Sequence, residues 1–115
     1  MTSFVPSVGF VSGCLLLRLD DSEGVYRRPF RCILDRDPFG DITGVEILDI
    51  RRQLDGAVVT SSTVTRDFRW SYDPDVDAFY VHIQRGSSLT PTQESCDGVA
   101  LVSADNRLVS LEIPA

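Results

Sequence analysis

The strongest constraint on this chain is that it repeats. Residues 13–48, GCLLLRLDDSEGVYRRPFRCILDRDPFGDITGVEIL, can be laid over residues 77–114, DAFYVHIQRGSSLTPTQESCDGVALVSADNRLVSLEIP. Leu15, Leu17 and Leu19 then fall on Phe79, Val81 and Ile83. Ile33 and Leu34 fall on Ala100 and Leu101, and Val45, Glu46 and Ile47 on Leu111, Glu112 and Ile113. Two copies of one unit in a short chain predict a fused pseudo-dimer, with a seam between copies where a ligand or partner would bind.

The unit is β throughout. Short apolar or alternating runs separated by turn chemistry predict strands near 13–19, 31–36, 42–48, 57–65, 67–72, 78–84, 91–95, 99–103 and 107–113. Two more are expected within 4–11 and near 25–28. Asp37-Pro38-Phe39-Gly40 and Ala104-Asp105-Asn106-Arg107 read as corresponding hairpin turns, with Gly40 and Asn106 supplying the positive φ. Asp55-Gly56 is a third turn, and only 50–54 looks helical. The expectation is an all-β single domain over 1–115, with a first copy at 1–50 and a second at 57–115. The two β-meander units would form a pseudo-twofold sandwich or small barrel.

Composition narrows function mostly by exclusion. All eleven basic residues are arginine, so chemistry that needs a lysine amine has no candidate. The net charge of −6 disfavours a nucleic-acid surface, although Arg27, Arg28 and Arg31 form a local basic spot. The longest apolar run, Cys14 to Leu17, is far too short to span a membrane, and the first residues lack the pattern of a signal peptide. A cytoplasmic protein is expected, as monomer or homodimer. Of the three cysteines, Cys14 and Cys32 read as small buried hydrophobes and Cys96 as more exposed.

The runs YDPDVDAFYVHI (Tyr72 to Ile83), DGVALVSADNRLVSLEI (Asp97 to Ile113) and RCILDRDPFGDITGVEIL (Arg31 to Leu48) resemble a bacterial family of small domains of unknown function, family 2283. The first copy departs from the opening motif, having Val8-Gly9-Phe10 where the second has Tyr72-Asp73-Pro74. The resemblance implies the β fold and transfers no catalytic residue. Single-copy relatives sometimes look like parts of two-gene modules resembling toxin–antitoxin pairs, which implies a regulatory or antitoxin-like binder.

Candidate chemistry is sparse. Asp73, Asp75 and Asp77 have the first spacings of a calcium loop, but Ala78 and Gln84 stand where it needs Gly and Glu, so an Asx turn is expected. No metal site or cofactor is predicted. His82 is the only histidine. As a base it would be oriented by Asp77 or Glu94, with Tyr80 as donor or Cys96 as nucleophile, but nothing in the spacing demands this. The expected ligand-lining residues at the seam are Trp70, Tyr80, His82 and Arg18. The leading expectation is a non-catalytic protein-interaction module with an acidic surface and an open sheet edge, 57–65 above all. A small-molecule binder or small enzyme at the seam is the alternative.

Overall fold

The computed structural model describes residues 4–59, 63–64, 68–83 and 92–114. In chain order the elements are β1 (Ser7–Val11), β2 (Cys14–Arg18), β3 (Tyr26–Arg36), β4 (Ile42–Leu48), α1 (Ile50–Gln53), β5 (Thr63–Val64), β6 (Phe68–Asp73), β7 (Ala78–Ile83), β8 (Thr92–Val102) and β9 (Leu108–Pro114). The fold is nearly all β. Among the described residues the strands form one antiparallel sheet in the order β1-β2-β9-β8-β3-β4-β7-β6-β5.

Alternation decides which side of each strand is buried. Leu15 and Leu17 of β2, Phe30, Cys32 and Leu34 of β3, and Val45 and Ile47 of β4 share one core with Phe68, Trp70, Phe79, Val81, Ala100, Leu111 and Ile113. These residues come from strands spread across most of the sheet, yet each is almost fully shielded from solvent. With only a single short helix among the described residues, the sheet must cover itself. It curls until it is nearly closed into a barrel.

The strand order is symmetric about the β3–β8 pair. Strands β8, β9, β2 and β1 on one side answer β3, β4, β7 and β6 on the other. The hairpins are exchanged: β2 pairs with β9, and β7 pairs with β4, so each opening strand completes the other half. Leu34 pairs with Val45 and Ala100 pairs with Leu111. Leu34 therefore answers Ala100 rather than Leu101, a one-residue correction to the sequence alignment that keeps both side chains in the core. Val8 and Trp70 occupy equivalent places opposite Leu17 and Val81. The opening motif is thus displaced by two residues from its expected match, because Ser12-Gly13 makes a tighter turn than Pro74 to Asp77. Ser12 and Gly13 have φ of 51° and 78°, as a two-residue hairpin of primed type requires.

The β3–β8 ladder runs from Tyr26↔Val102 to Arg36↔Thr92. The sequence expectation splits each of these long strands in two, at Pro29 and at Gly98. Neither interrupts it. Pro29 lies where β3 has a strand neighbour on one side only, since the β4 ladder begins at Ile33. Gly98 pairs with Phe30, and a Cβ there would meet the Phe30 ring and, at 2.8 Å, the Glu112 carbonyl oxygen.

The expected 57–65 strand is described only in part. Val58 makes one parallel bridge to Arg107, and Thr63–Val64 pairs with β6; residues 60–62 and 65–67 lie outside the described residues. The segment before it is pinned. Ile50 and Leu54 are fully buried, and the Arg28 guanidinium donates to Leu54 O (2.6 Å) and Asn106 Oδ1 (2.7 Å). Gln53 acts as a substitute strand: its Oε1 accepts from Arg31 N (2.7 Å) and its Nε2 donates to Arg31 O (3.1 Å).

Gly98→Ala is expected to destabilise the fold by about 1–3 kcal/mol, because the added methyl displaces the Phe30 ring. In urea titrations, Phe30→Leu in the Gly98→Ala background recovers part of the loss, so the two changes are non-additive. Strict additivity contradicts the packing described.

Candidate functional site

Antiparallel register arranges the outward residues of five strands in two rows. One row runs Gln93, Asp35, Gly44, His82, Arg69, and the next runs Ser95, Ile33, Glu46, Tyr80, Ser71. Between them lies a polar constellation on the outer face. Tyr80 Oη donates to Asp35 Oδ2 (3.2 Å), and Gln93 Nε2 donates to Asp35 Oδ1 (3.0 Å), so both carboxylate oxygens are held. His82 stacks beside Tyr80, with ring centroids 6.5 Å apart and planes 25° from parallel.

Gly44 makes this possible. A Cβ at that position would collide with the Tyr80 hydroxyl and approach Asp35 Oδ2 to 2.8 Å, so only a glycine lets the tyrosine lean across β4 to β3. Burial raises the Tyr80 phenol above its ordinary range, and the charge and hydrogen bond of Asp35 and the charge of Glu46 add to the effect. Arg69 opposes it. Tyr80 is therefore a neutral donor at physiological pH.

Of the four expected lining residues, the structure brings Tyr80 and His82 together and separates the others. Trp70 is on the neighbouring strand but points inward, 3% exposed and stacked on Phe68 at 5.8 Å. Its indole Nε1 is buried without a hydrogen-bond partner among the described residues. Arg18 is exposed on β2, in register with Ser7 and Ser110, five strands away from β7 in the sheet order. It does answer His82 in the symmetric strand order, but that correspondence places the two on opposite halves.

The imagined catalytic set is not assembled either. The Asp77 carboxylate accepts from Tyr72 Oη (2.8 Å) and from the backbone N–H groups of Arg51 (3.1 Å) and Arg52 (3.2 Å), capping α1 from the turn between β6 and β7. Glu94 is paired with Arg36 at 2.5 Å, and Cys96 belongs to the inner face. Asp75 N donates to Asp73 Oδ1 (3.0 Å) in an Asx turn. Among the described residues no three His, Cys, Asp or Glu side chains converge to hold a metal, and no helix is long and apolar enough to cross a membrane.

Two open clefts flank Arg31 and Gln53, where the halves meet. One, of about 170 Å³, lies over Ile33, Glu46 and Leu48; the other, of about 380 Å³, lies beside Pro29, Phe30 and Asp97. Neither Gly44 nor Gln93 has a role in the sequence reading, and Asp35 falls within the predicted 31–36 strand. A glycine inside the apolar run ITGVEIL was the available signal, because strand glycines mark close approach.

Compared with protein-family models, with curated proteins and with solved structures, the chain matches none.

Tyr80→Phe is expected to cost about 1 kcal/mol, the value of one partly buried hydrogen bond. Gly44→Ala costs more, about 1–3 kcal/mol, because it displaces the tyrosine as well. In thermal denaturation the second change loses most of its effect once Tyr80 is Ala. Equal Gly44→Ala losses in both backgrounds contradict the geometry.

Burial alone would raise the Asp77 carboxyl, but the bonds from Tyr72, Arg51 and Arg52 outweigh it and hold it below the usual carboxylate range. Its stabilisation is present above the unfolded-state pKa of about 3.9 and is lost as pH falls through the lower folded-state value. Asp77→Ala is expected to lose about 1–2 kcal/mol at neutral pH, as a missing helix cap does. The deficit should shrink in acid, and urea titrations at several pH values check this. A deficit constant down to the acid limit contradicts the assignment.

Proposed function

We propose that this chain is a non-catalytic protein-interaction module, built as a tandem copy of the family-2283 domain and working in the reducing cytoplasm. Its partner is a protein with basic chemistry, bound in a regulatory or neutralising role across the outer face around Asp35, Glu46, Tyr80 and His82. The observation that carries the reading is the Gln93–Asp35–Tyr80 chain of hydrogen bonds. It holds an aromatic ring and a carboxylate rigidly on an open sheet surface, within reach of water and of a partner. Rigid tyrosines beside polar groups suit protein interfaces, because little side-chain entropy is lost on binding. Leu48, half exposed on the same face, adds apolar area, and the net charge of −6 favours a basic partner.

A second reading has its own observation. The clefts beside Arg31 and Gln53 sit where the halves meet, and they offer a guanidinium, an amide and apolar walls to a small anionic or amide-bearing molecule. Both are shallow and open, which favours the protein partner.

The test is native mass spectrometry of tagged protein recovered gently from its host, followed by affinity measurement with the partner found. The expected result is an added mass of protein size, with binding that weakens as salt rises. Replacing Asp35 by Asn and Glu46 by Gln weakens it at least about tenfold, or about 1.4 kcal/mol. A small added mass lost on Gln53→Ala moves the function to the clefts. Affinity unmoved by salt and by both substitutions contradicts the proposal.

A further inference from the structure

We propose that Cys32 and Cys96 form a site of reversible oxidation, closing a disulfide across the β3–β8 ladder when the protein meets a hydroperoxide. The two residues are register partners in that ladder, and alternation puts both side chains on the inner face. Directly opposed residues in an antiparallel pair have Cα atoms about 4.5 or about 5.5 Å apart, and both values lie in the roughly 4.4–6.8 Å window of disulfides. The register therefore places the two residues within the Cα spacing a disulfide uses. Both are free in this structure, and neither takes part in the outer-face constellation.

The pair is asymmetric in a way that orders the chemistry. Cys32 is 4% exposed, whereas Cys96 is half-buried, its Sγ lying 3.8 Å from Pro114 O near the end of β9. Cys96 is thus the thiol an oxidant reaches. Its sulfur attacks the peroxide O–O bond, giving Cys96 sulfenic acid and one water or alcohol. The Cys32 sulfur then displaces hydroxide from the sulfenic sulfur, and the thiol proton leaves with it as a second water. Two thiols are oxidised by two electrons and one peroxide is reduced.

Burial and the neighbouring Cys96 push the Cys32 thiol up to about 12, and burial raises Cys96 as well. Both thiols therefore stay protonated and slow at neutral pH, so the site responds to sustained rather than brief oxidation.

The disulfide would tie the two halves at the ladder that joins them. It would close a loop containing β4, α1, β5, β6 and β7, and restrict the unfolded chain more than the folded one. This is independent of what the outer face binds.

The test treats the full chain with hydrogen peroxide under native conditions, blocks remaining thiols and maps the peptides without reduction. The expected product is a Cys32–Cys96 cross-link with Cys14 still free, a raised thermal midpoint, and return to the starting midpoint after a dithiol reductant. Cys96→Ser, at the half-buried position, abolishes the rise, and Cys14→Ser leaves it intact. Sulfinic or sulfonic acid at Cys96 without the cross-link, a link to Cys14, or a cross-link that lowers the midpoint would each overturn the proposal.

Discussion

A sheet with one apolar face has to hide that face, and here almost nothing is available to hide it except the sheet itself. The β3–β8 ladder provides the solution. One end of it carries β9, β2 and β1, and the other carries β4, β7, β6 and β5. Both groups turn one face, rich in leucine, valine and aromatic side chains, to a shared interior. Burial of each such side chain is worth roughly 1.5–3 kcal/mol, so the ladder acts less through its own hydrogen bonds than through the core it lets the halves share.

The exchange of hairpins follows the same logic. Without the β2–β9 and β7–β4 pairings, each half would keep an open edge beside the ladder. Pairing β2 with β9 and β7 with β4 fills both places. The glycines at 44 and 98 show how close the packing is on each face: Gly98 leaves room for Phe30 inside, and Gly44 leaves room for Tyr80 outside. The inner glycine serves stability. The outer one shapes a surface, and that asymmetry marks the Asp35–Tyr80 region as distinct from its symmetric counterpart, where Leu101 and Leu16 stand.

Much of the fold was legible because alternation is a local property. The 42–48 strand and the facing of Phe79, Val81 and Ile83 needed nothing beyond parity. Pro29 and Gly98 misled, since each is a breaker by propensity and each is accommodated by a neighbour that only register reveals. The site was less legible for the same reason. Parity alone correctly put Tyr80 and His82 on one face. Whether Trp70 of the next strand shares that face depends on cross-strand register, and it does not. Arg18 was matched to His82 through the repeat, but residues related by a twofold meet only near its axis. The residues near that axis are Arg31 and Asp97, an exposed pair at 3.4 Å whose meeting is set by the β3–β8 register, which neither parity nor the repeat supplies.

The two halves are one cooperative unit because each completes the other. Native-state hydrogen exchange measures this directly, amide by amide. Core amides in β2, β4, β7 and β9 are expected to open together, at one free energy equal to that of global unfolding. Separate opening energies for residues 14–48 and 78–114 would contradict it.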